Sequence, residues 1–387
     1  MNLIATTNAS FIKGLVCSKC GKAYSHLTVQ TFATCCNKPL RAKYNLSTYS
    51  KQLLIDRPYN MWRYKEVLPV LHEENIVSLG EGYTPILSLN KLTNKIGHCS
   101  IKMKDESGNP TGSFKARGLS MGVSKGKELG IEHFIIPTAG NAGGALSAYC
   151  AKADIKATVI MPRHTSATLK EECRLYGAEL ILVDGLIDAC GKMARSIAEE
   201  TGAFDISTMK EPYRLEGKKT LGYEIAEQYN WQLPNVIIYP AGGGTGLIGM
   251  WKAFKEMKEA GWITCELPKL VLIQSENCSP MIHLYNNGVL PENYNPIPST
   301  ALGLAVPYPF ASDMMLQAIY ESKGCAISVS EEDMNTGIDA IALSEGLLVS
   351  PEGAATYMGL KKLIEKDWIA EAEEVLLFNT GSWYKYR

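Results

Sequence analysis

Along most of this chain, short apolar runs alternate with longer stretches whose apolar residues recur at helical spacing. The change of period falls at regular intervals. Between residues 119 and 210, the runs His133 to Pro137, Ala157 to Met161 and Glu179 to Val183 predict strands. The amphipathic stretches Ala142 to Ala153, Ser166 to Tyr176 and Leu186 to Thr201 predict helices. A second alternating region places strands at Val236 to Tyr239, Lys269 to Gln274, Ala326 to Val329 and Glu374 to Phe378. Upstream, Cys99 to Lys104 is a further strand, and Gly80, Gly82 and Pro85 mark an ordered loop leading into a short one. Single strands separated by single helices predict parallel sheets with right-handed crossovers. The expected class is therefore α/β, with two open, mostly parallel sheets covered by helices and a small cysteine-containing segment at the N-terminus. The expected division is a ribbon over 1–46, a large domain over 47–112 and 211–387, and a small mobile α/β domain over 113–210. There are no internal repeats or low-complexity linkers.

A length of 387 residues suits two domains with separate cores. With 46% hydrophobic residues, 20% charged residues and a formal net charge of −1, nothing points to a nucleic-acid or other polyanionic partner. No apolar run reaches the roughly 18 residues of a membrane span, and the N-terminus lacks the order of a signal peptide, so a cytoplasmic protein is expected. The 11 cysteines are odd in number and mostly scattered through apolar patterns, as thiols in a reducing compartment would be. Cys17 and Cys20 have the spacing of half a zinc knuckle. Cys35 and Cys36 follow as adjacent residues, whose side chains ordinarily point apart, so Cys36 is taken as the third candidate ligand. Two readings stay open: a structural zinc, or a ribbon whose cysteines pack as small apolar residues.

Residues 102 to 118 are polar and turn-rich, and they carry Lys115 where a helix should begin. Asn109-Pro-Thr-Gly112 forces an irregular turn, and Ser113 can cap a helix running through Ala116 and Leu119. The positive end of that helix disfavours an ammonium at Lys115, which suits a nucleophile or Schiff-base amine. Taken alone, Lys115 reads as a solvated lysine on an ordinary helix start. Two glycine-rich turns between strand and helix alter that reading. Pro137-Thr138-Ala-Gly-Asn141-Ala-Gly-Gly offers an amide where α/β sheets hold ligands. The run from Tyr239 to Gly249, with Gly242, Gly243, Gly244, Thr245 and Gly246, lets backbone N–H groups converge on an anion at a helix start. It lacks the ending of an ATP-binding P-loop and the spacing of a dinucleotide fingerprint. A phosphate cradle, a nucleophilic lysine and an amide are what pyridoxal phosphate requires, and the Thr380 and Ser382 hydroxyls after the last strand offer a partner for its pyridine nitrogen.

These stretches carry a family resemblance. Asn109-Pro-Thr-Gly-Ser-Phe-Lys115-Ala-Arg-Gly, Thr138-Ala-Gly-Asn141-Ala-Gly-Gly, Lys210 to Thr220, Pro240 to Lys252, Ser350-Pro-Glu-Gly-Ala-Ala-Thr and Asn379-Thr-Gly-Ser occur in order over nearly the whole chain. The sequence resembles the threonine synthases of the tryptophan-synthase-β, or fold type II, group of pyridoxal-phosphate enzymes. The resemblance implies that Lys115 forms the Schiff base, that Phe114 packs beside it and that Asn141 meets the cofactor's 3-oxygen. It further implies that Gly242 to Gly246 hold the phosphate and that Thr380 meets the pyridine nitrogen. The implied reaction converts O-phosphohomoserine and water to threonine and phosphate, with Lys115 as proton shuttle. Candidate donors for this small phosphorylated amino-acid substrate are Ser113, Lys104, Thr138, Arg163 and Lys218, and a homodimer is the family habit.

Two departures bear on the substrate. Where relatives carry Asp-Thr-Pro-Glu-Ala-Asn, this chain has His164-Thr-Ser-Ala-Thr-Leu169, and after Asn379-Thr-Gly-Ser it has Trp383 instead of glycine. The alternatives are a β-replacement synthase acting on O-phosphoserine or a similar activated serine (cysteate synthase-like), a serine/threonine ammonia-lyase, or a non-enzymatic sensor on the same scaffold.

Overall fold

The computed structural model describes residues 9–185 and 187–386. In chain order, β1 (Ile12–Cys17), β2 (Ala23–Tyr24) and β3 (Leu40–Tyr44) form an antiparallel sheet in the order β2-β1-β3. There follow β4 (Ile86–Ser88), α1 (Asn90–Ile96), β5 (Ser100–Asp105), α2 (Lys115–Glu128), β6 (His133–Pro137), α3 (Ala142–Ala153), β7 (Lys156–Pro162) and α4 (Ala167–Leu175). Next come β8 (Glu179–Val183), α5 (Ile187–Thr201), β9 (Phe204–Asp205), α6 (Tyr213–Gln228), β10 (Val236–Pro240) and α7 (Thr245–Glu259). The chain closes with β11 (Lys269–Ser275), α8 (Pro280–Asn287), α9 (Ser312–Glu321), β12 (Cys325–Val329), α10 (Glu331–Glu345), α11 (Pro351–Ile364) and β13 (Glu374–Asn379). The expected start of α5, Leu186, lies outside the described residues.

The chain divides into two compact units. The first comprises Met1–Tyr83, Lys115–Thr220 and Glu256–Trp262; the second comprises Thr84–Phe114, Leu221–Lys255 and Ile263–Arg387. Residues 47–83, expected with the larger sheet, belong with the first unit, as does the ribbon.

In the first unit, four parallel strands lie in the order β8-β7-β6-β9. Both faces are covered, which is why these strands read as unbroken apolar runs. Phe134, Ile136, Val159 and Met161 face a cluster with Leu119 and Val123 of α2, Leu146 and Tyr149 of α3, and Leu169 of α4. The alternate residues Ile135 and Ile160 meet Cys190 and Ala194 of α5 on the other face. With only two residues, β9 carries no readable period, and it pairs with β6 all the same.

In the second unit, six strands run in the order β12-β11-β10-β13-β5-β4, all parallel except the edge strand β4. Val236, Ile238, Val271, Ile273, Val375 and Leu377 pack against Met334 and Ile341 of α10 and Ala354 and Met358 of α11. Side-chain hydroxyls begin α10 and α11. Ser330 and Asp333 form a capping box on α10, and the Ser350 hydroxyl accepts from Gly353 N–H ahead of α11, where Pro351 needs no donor partner.

One close approach fixes α2 against α6 in the first unit. A Cβ on Gly217 would lie 2.1 Å from the Arg117 carbonyl oxygen, and the Arg117 guanidinium is fully buried with Nη1 donating to Thr220 Oγ1 at 3.0 Å. Alanine is the better helix former by roughly 1 kcal/mol, but here its methyl meets backbone that cannot swing aside. Gly217→Ala is therefore expected to lower stability by about 1–3 kcal/mol in urea or thermal unfolding. Equal or higher stability would contradict this packing.

Candidate active site

The second unit gathers three strand ends along one sheet edge. The order β10-β13-β5 makes these strands neighbours, and being parallel they end on the same side. Ligand sites in open α/β sheets are built at such ends. From β10 leads the turn Ala241 to Gly244, from β13 the segment Thr380 to Ser382, and from β5 the stretch reaching Phe114. The last two are tied together. Ser113 and Gly381 form an antiparallel bridge, Phe114 N–H donates to Thr380 C=O at 3.0 Å, and Ser382 N–H donates to Gly112 C=O at 2.8 Å. Ser113 was expected to cap α2; instead it lies in this bridge, and the helix begins two residues later at Lys115. The turn ahead of it needs positive φ at Thr111 (64°) and Gly112 (63°), which makes it irregular as the sequence predicted. Asn379, at the end of β13, donates from Nδ2 to Asp105 Oδ1 at 2.8 Å and accepts Ser350 N–H on Oδ1 at 3.0 Å, locking three segments together.

The glycine turn is built for close approach. A Cβ at Gly242 would lie 2.3 Å from the Gly303 carbonyl oxygen, at Gly244 2.2 Å from Met315 Sδ, and at Gly246 1.9 Å from the Tyr239 hydroxyl. Gly244 also sits at φ +78°, where side chains are strained. Ile248 N–H donates to Gly244 C=O at 3.0 Å, and the N–H groups ahead of it are those a helix start leaves for another acceptor. Thr245 and Thr380 are buried. The Phe114 ring meets Tyr239 edge-on at 6.3 Å, and Tyr239 meets Phe378 at 4.9 Å. Beside the turn, Glu352 Oε1 accepts Gly303 N–H at 2.7 Å, while Oε2 is buried with no protein partner among the described residues. A turn with no room for side chains at Gly242, Gly244 and Gly246, at the positive end of α7 and beside the buried Thr380 just past the neighbouring strand, fits a phosphorylated aromatic cofactor. In the sequence, Tyr239 and Glu352 stand out only as members of motifs. Gly303 and Met315 lie in or next to stretches with no motif and left no signal.

In the first unit, Lys115 is the half-buried opening residue of α2. Thr138 and Asn141 occupy the turn between β6 and α3; β7 and β9 flank β6 on opposite sides, so this turn lies at a topological switch point. The Thr138 hydroxyl accepts Gly140 N–H at 3.1 Å. Lys218 is buried in α6. Arg163 is exposed, and its Nε and Nη2 donate to Asp184 Oδ1 and Oδ2 at 2.6 and 3.1 Å. Lys104, in the second unit, is fully buried, and its Nζ donates to Thr84 C=O, Gln228 Oε1 and Glu224 Oε2 at 2.6, 2.8 and 3.1 Å, which uses all three of its protons. Of the two departures, Leu169 is a core residue, and Trp383 is half-buried with its ring against Tyr384 at 5.5 Å.

The N-terminal ribbon departs from its expected ligand set. Cys17, Cys20, Cys35 and Cys36 all bring their sulfurs within 4.8 Å of one another, so Cys35 joins the three named from sequence. Adjacent side chains point apart in an extended strand. Here residues 33–38 form a turn closed by Ala33 and Lys38, with Asn37 at φ 51°, and both thiols reach the same point. Burial raises the Cys17 thiol, but backbone N–H groups of Cys20 and Lys19 and the neighbouring thiols bring it down to about 6, and contact with Cys20 drives Cys36 up to about 12.

The family model for pyridoxal-phosphate-dependent enzymes matches residues 77–381. The chain belongs to that family. Within it, the chain is 35% identical to the threonine synthase of Methanocaldococcus jannaschii over 374 residues, covering 94% of this chain and 91% of that protein. It is 34% identical to the threonine synthase of Methanosarcina acetivorans, with 95% and 91% covered. Among solved structures it has the fold of maize serine racemase (TM-score 0.66, 20% identity, 78% and 88% covered) and of a serine ammonia-lyase from Rhizomucor miehei (TM-score 0.67, 21% identity, 79% and 97% covered). These agree with the sequence resemblance and with the expected fold class.

The helix that carries Lys218 starts on a buried acid. Glu211 is 2% exposed and caps α6 through Tyr213 N–H at 2.7 Å and Arg214 N–H at 3.1 Å. Burial raises its carboxyl from 4.5 to about 7, against the pull of Arg214. A carboxyl that holds its proton more tightly when folded contributes most below its unfolded value. Stability should therefore fall as pH rises from about 4.5 to about 7, with a slope of up to about 1.4 kcal/mol per pH unit. Glu211→Gln is expected to flatten that part of a urea-denaturation pH series; an unchanged slope would contradict the assignment.

Proposed function

We propose that the protein is a pyridoxal-phosphate-dependent lyase that converts O-phosphohomoserine and water to threonine and phosphate. The similarity to threonine synthases over 94% of the chain carries this reading, and the glycine turn, which leaves no room for a side chain at Gly242, Gly244 or Gly246, supports the cofactor half of it. In this reading the backbone N–H groups of Gly242, Gly243, Gly244, Thr245 and Gly246 receive the cofactor phosphate. Their neutrality lets a dianion be held by dipoles while leaving side-chain cations for a second phosphate on the substrate. Thr380, with Ser382 near it, would hold the pyridine nitrogen through a hydroxyl, a partner that does not fix it as a pyridinium and so suits elimination better than transamination. Asn141 would donate to the 3-oxygen, and Phe114 would pack beside Lys115.

When bound, the cofactor supplies an electron sink for the charge left on a substrate carbon after its proton departs. Lys115 is the proton carrier. Its amine would remove the α-proton and return it, and the positive end of α2 disfavours an ammonium there. Ser113, Thr138 and Lys218 are the donors we assign to the substrate phosphate. Lys104 is committed to its three protein acceptors and Arg163 to Asp184, so neither is assigned to it. A homodimer in the cytoplasm completes the proposal; the 11 cysteines, all thiols here, suit a reducing compartment. Among the described residues, no helix is long and apolar enough to cross a membrane.

The purified protein with pyridoxal phosphate is expected to form threonine and phosphate in equal amounts from O-phosphohomoserine and to leave O-phosphoserine and serine untouched. Turnover of O-phosphoserine, or ammonia release from serine, in preference to that reaction would overturn the substrate. Lys115→Ala should abolish the cofactor's visible absorbance band and lower turnover by about 10²–10⁴-fold. Gly246→Ala should lower cofactor occupancy, because its methyl collides with the Tyr239 hydroxyl; full occupancy in that variant would sink the cradle.

A further inference from the structure

The ribbon has its own chemistry, independent of the function proposed above. Cys17 closes β1, and Cys20 follows in the turn that leads to β2. This hairpin loop is pinned by Cys17 N–H to Lys22 C=O at 2.9 Å and by Gly21 N–H, at φ +73°, to Cys17 C=O at 3.1 Å. The second loop lies beside the first, because β3 pairs with β1 (Cys17 opposite Leu40) and Ser18 N–H donates to Pro39 C=O at 2.9 Å. The Tyr24 hydroxyl accepts Cys35 N–H at 3.1 Å and so holds the second loop to β2.

We propose that Cys17, Cys20, Cys35 and Cys36 form a closed tetrathiolate site for one zinc ion, which staples the N-terminal ribbon. A tetrahedral ion with Zn–S bonds of about 2.3 Å places its sulfurs about 3.8 Å apart. The four sulfurs lie within 4.8 Å of one another, and Cys20 and Cys35 approach to 3.5 Å, so the set closes around an ion by small side-chain movements. A single disulfide accounts for two sulfurs and leaves the convergence of four unexplained. Borderline-soft zinc matches four thiolates, whereas hard cations such as magnesium or calcium require oxygen ligands. All four positions are taken by protein, leaving no open position for water, so the site is structural and not catalytic. The ribbon needs such a staple: its buried apolar residues in the three strands and their loops are Leu15, Ala33, Leu40, Ala42 and Tyr44, too few for a core of its own.

Elemental analysis of the full-length holoprotein, expressed with zinc supplied, is expected to give one zinc per chain. The cobalt-substituted protein should show the intense visible absorption of a tetrahedral thiolate site. Cys35→Ser and Cys36→Ser should each weaken zinc binding by about 100-fold or more, in competition with a chromophoric chelator. If either variant fails to fold, removal of zinc from the wild type should lower its melting temperature and restoration should return it. Cofactor absorbance in the same samples separates this outcome from failure of the proposed reaction. Less than a tenth of an equivalent of zinc, stoichiometric iron, or a Cys20–Cys35 disulfide in protein purified under reducing conditions would overturn the proposal. So would a Cys36→Ser variant that binds as tightly as the wild type.

Discussion

Residues 112 to 114 are pinned onto residues 380 to 382, and the geometry of the candidate site depends on that pairing. The stretch after β5 would otherwise be a polar loop of turn formers, free to take many conformations at an entropic cost of roughly 1–2 kcal/mol per residue. The Ser113–Gly381 bridge and the hydrogen bonds from Phe114 to Thr380 and from Ser382 to Gly112 convert it into an extension of the sheet edge. The same pairing holds Thr380 and Ser382 just past the end of β13, the strand between β5 and β10.

The supporting structure uses buried charge where an apolar core would suffice for stability. In the first unit, Glu216 and Lys219 of α6 are fully buried at 2.8 Å, Lys219 also reaches Glu256 at 3.0 Å, and the Tyr44 hydroxyl donates to Glu216 at 2.9 Å. Lys219 further lies 3.9 Å from the centre of the Tyr44 ring. This network joins β3 of the ribbon to the helix that also carries Lys218. In the second unit, Lys104 and Glu224 do the same between β5 and α6. Buried pairs of this kind gain little net energy but penalise any other arrangement severely, because an unpaired partner is left in an apolar interior. They therefore fix register, which is what a site assembled from several chain segments requires.

Much of this was legible in the sequence, and the failures share a cause. The period of apolar residues located β6, β8 and α3 to the residue, because short apolar runs alternate there with a longer stretch at helical spacing. Motif spacing named the glycine turn and the ends of β5 and β13. It missed what depends on contacts between distant segments: Gly303 against Gly242, Met315 against Gly244, and the bridge that takes Ser113 from its expected capping role. Local rules also misjudged Cys35, since the alternation of neighbouring side chains holds for strands, and residues 33–38 form a turn. Lys104 illustrates the converse. Its charge made it a substrate candidate, and only its three acceptors, one adjacent to the strand edge and two on α6, identify it as part of the framework.

The account stands or falls on which lysine carries the cofactor. Reduction of the pyridoxal-phosphate-loaded protein with borohydride, followed by peptide mapping, fixes the cofactor to its lysine and reads the position directly. The account predicts a single modified site at Lys115, on the peptide that begins the helix after the Ser113–Gly381 bridge. Stoichiometric modification at Lys104 or Lys218, with Lys115 left unmodified, would contradict it.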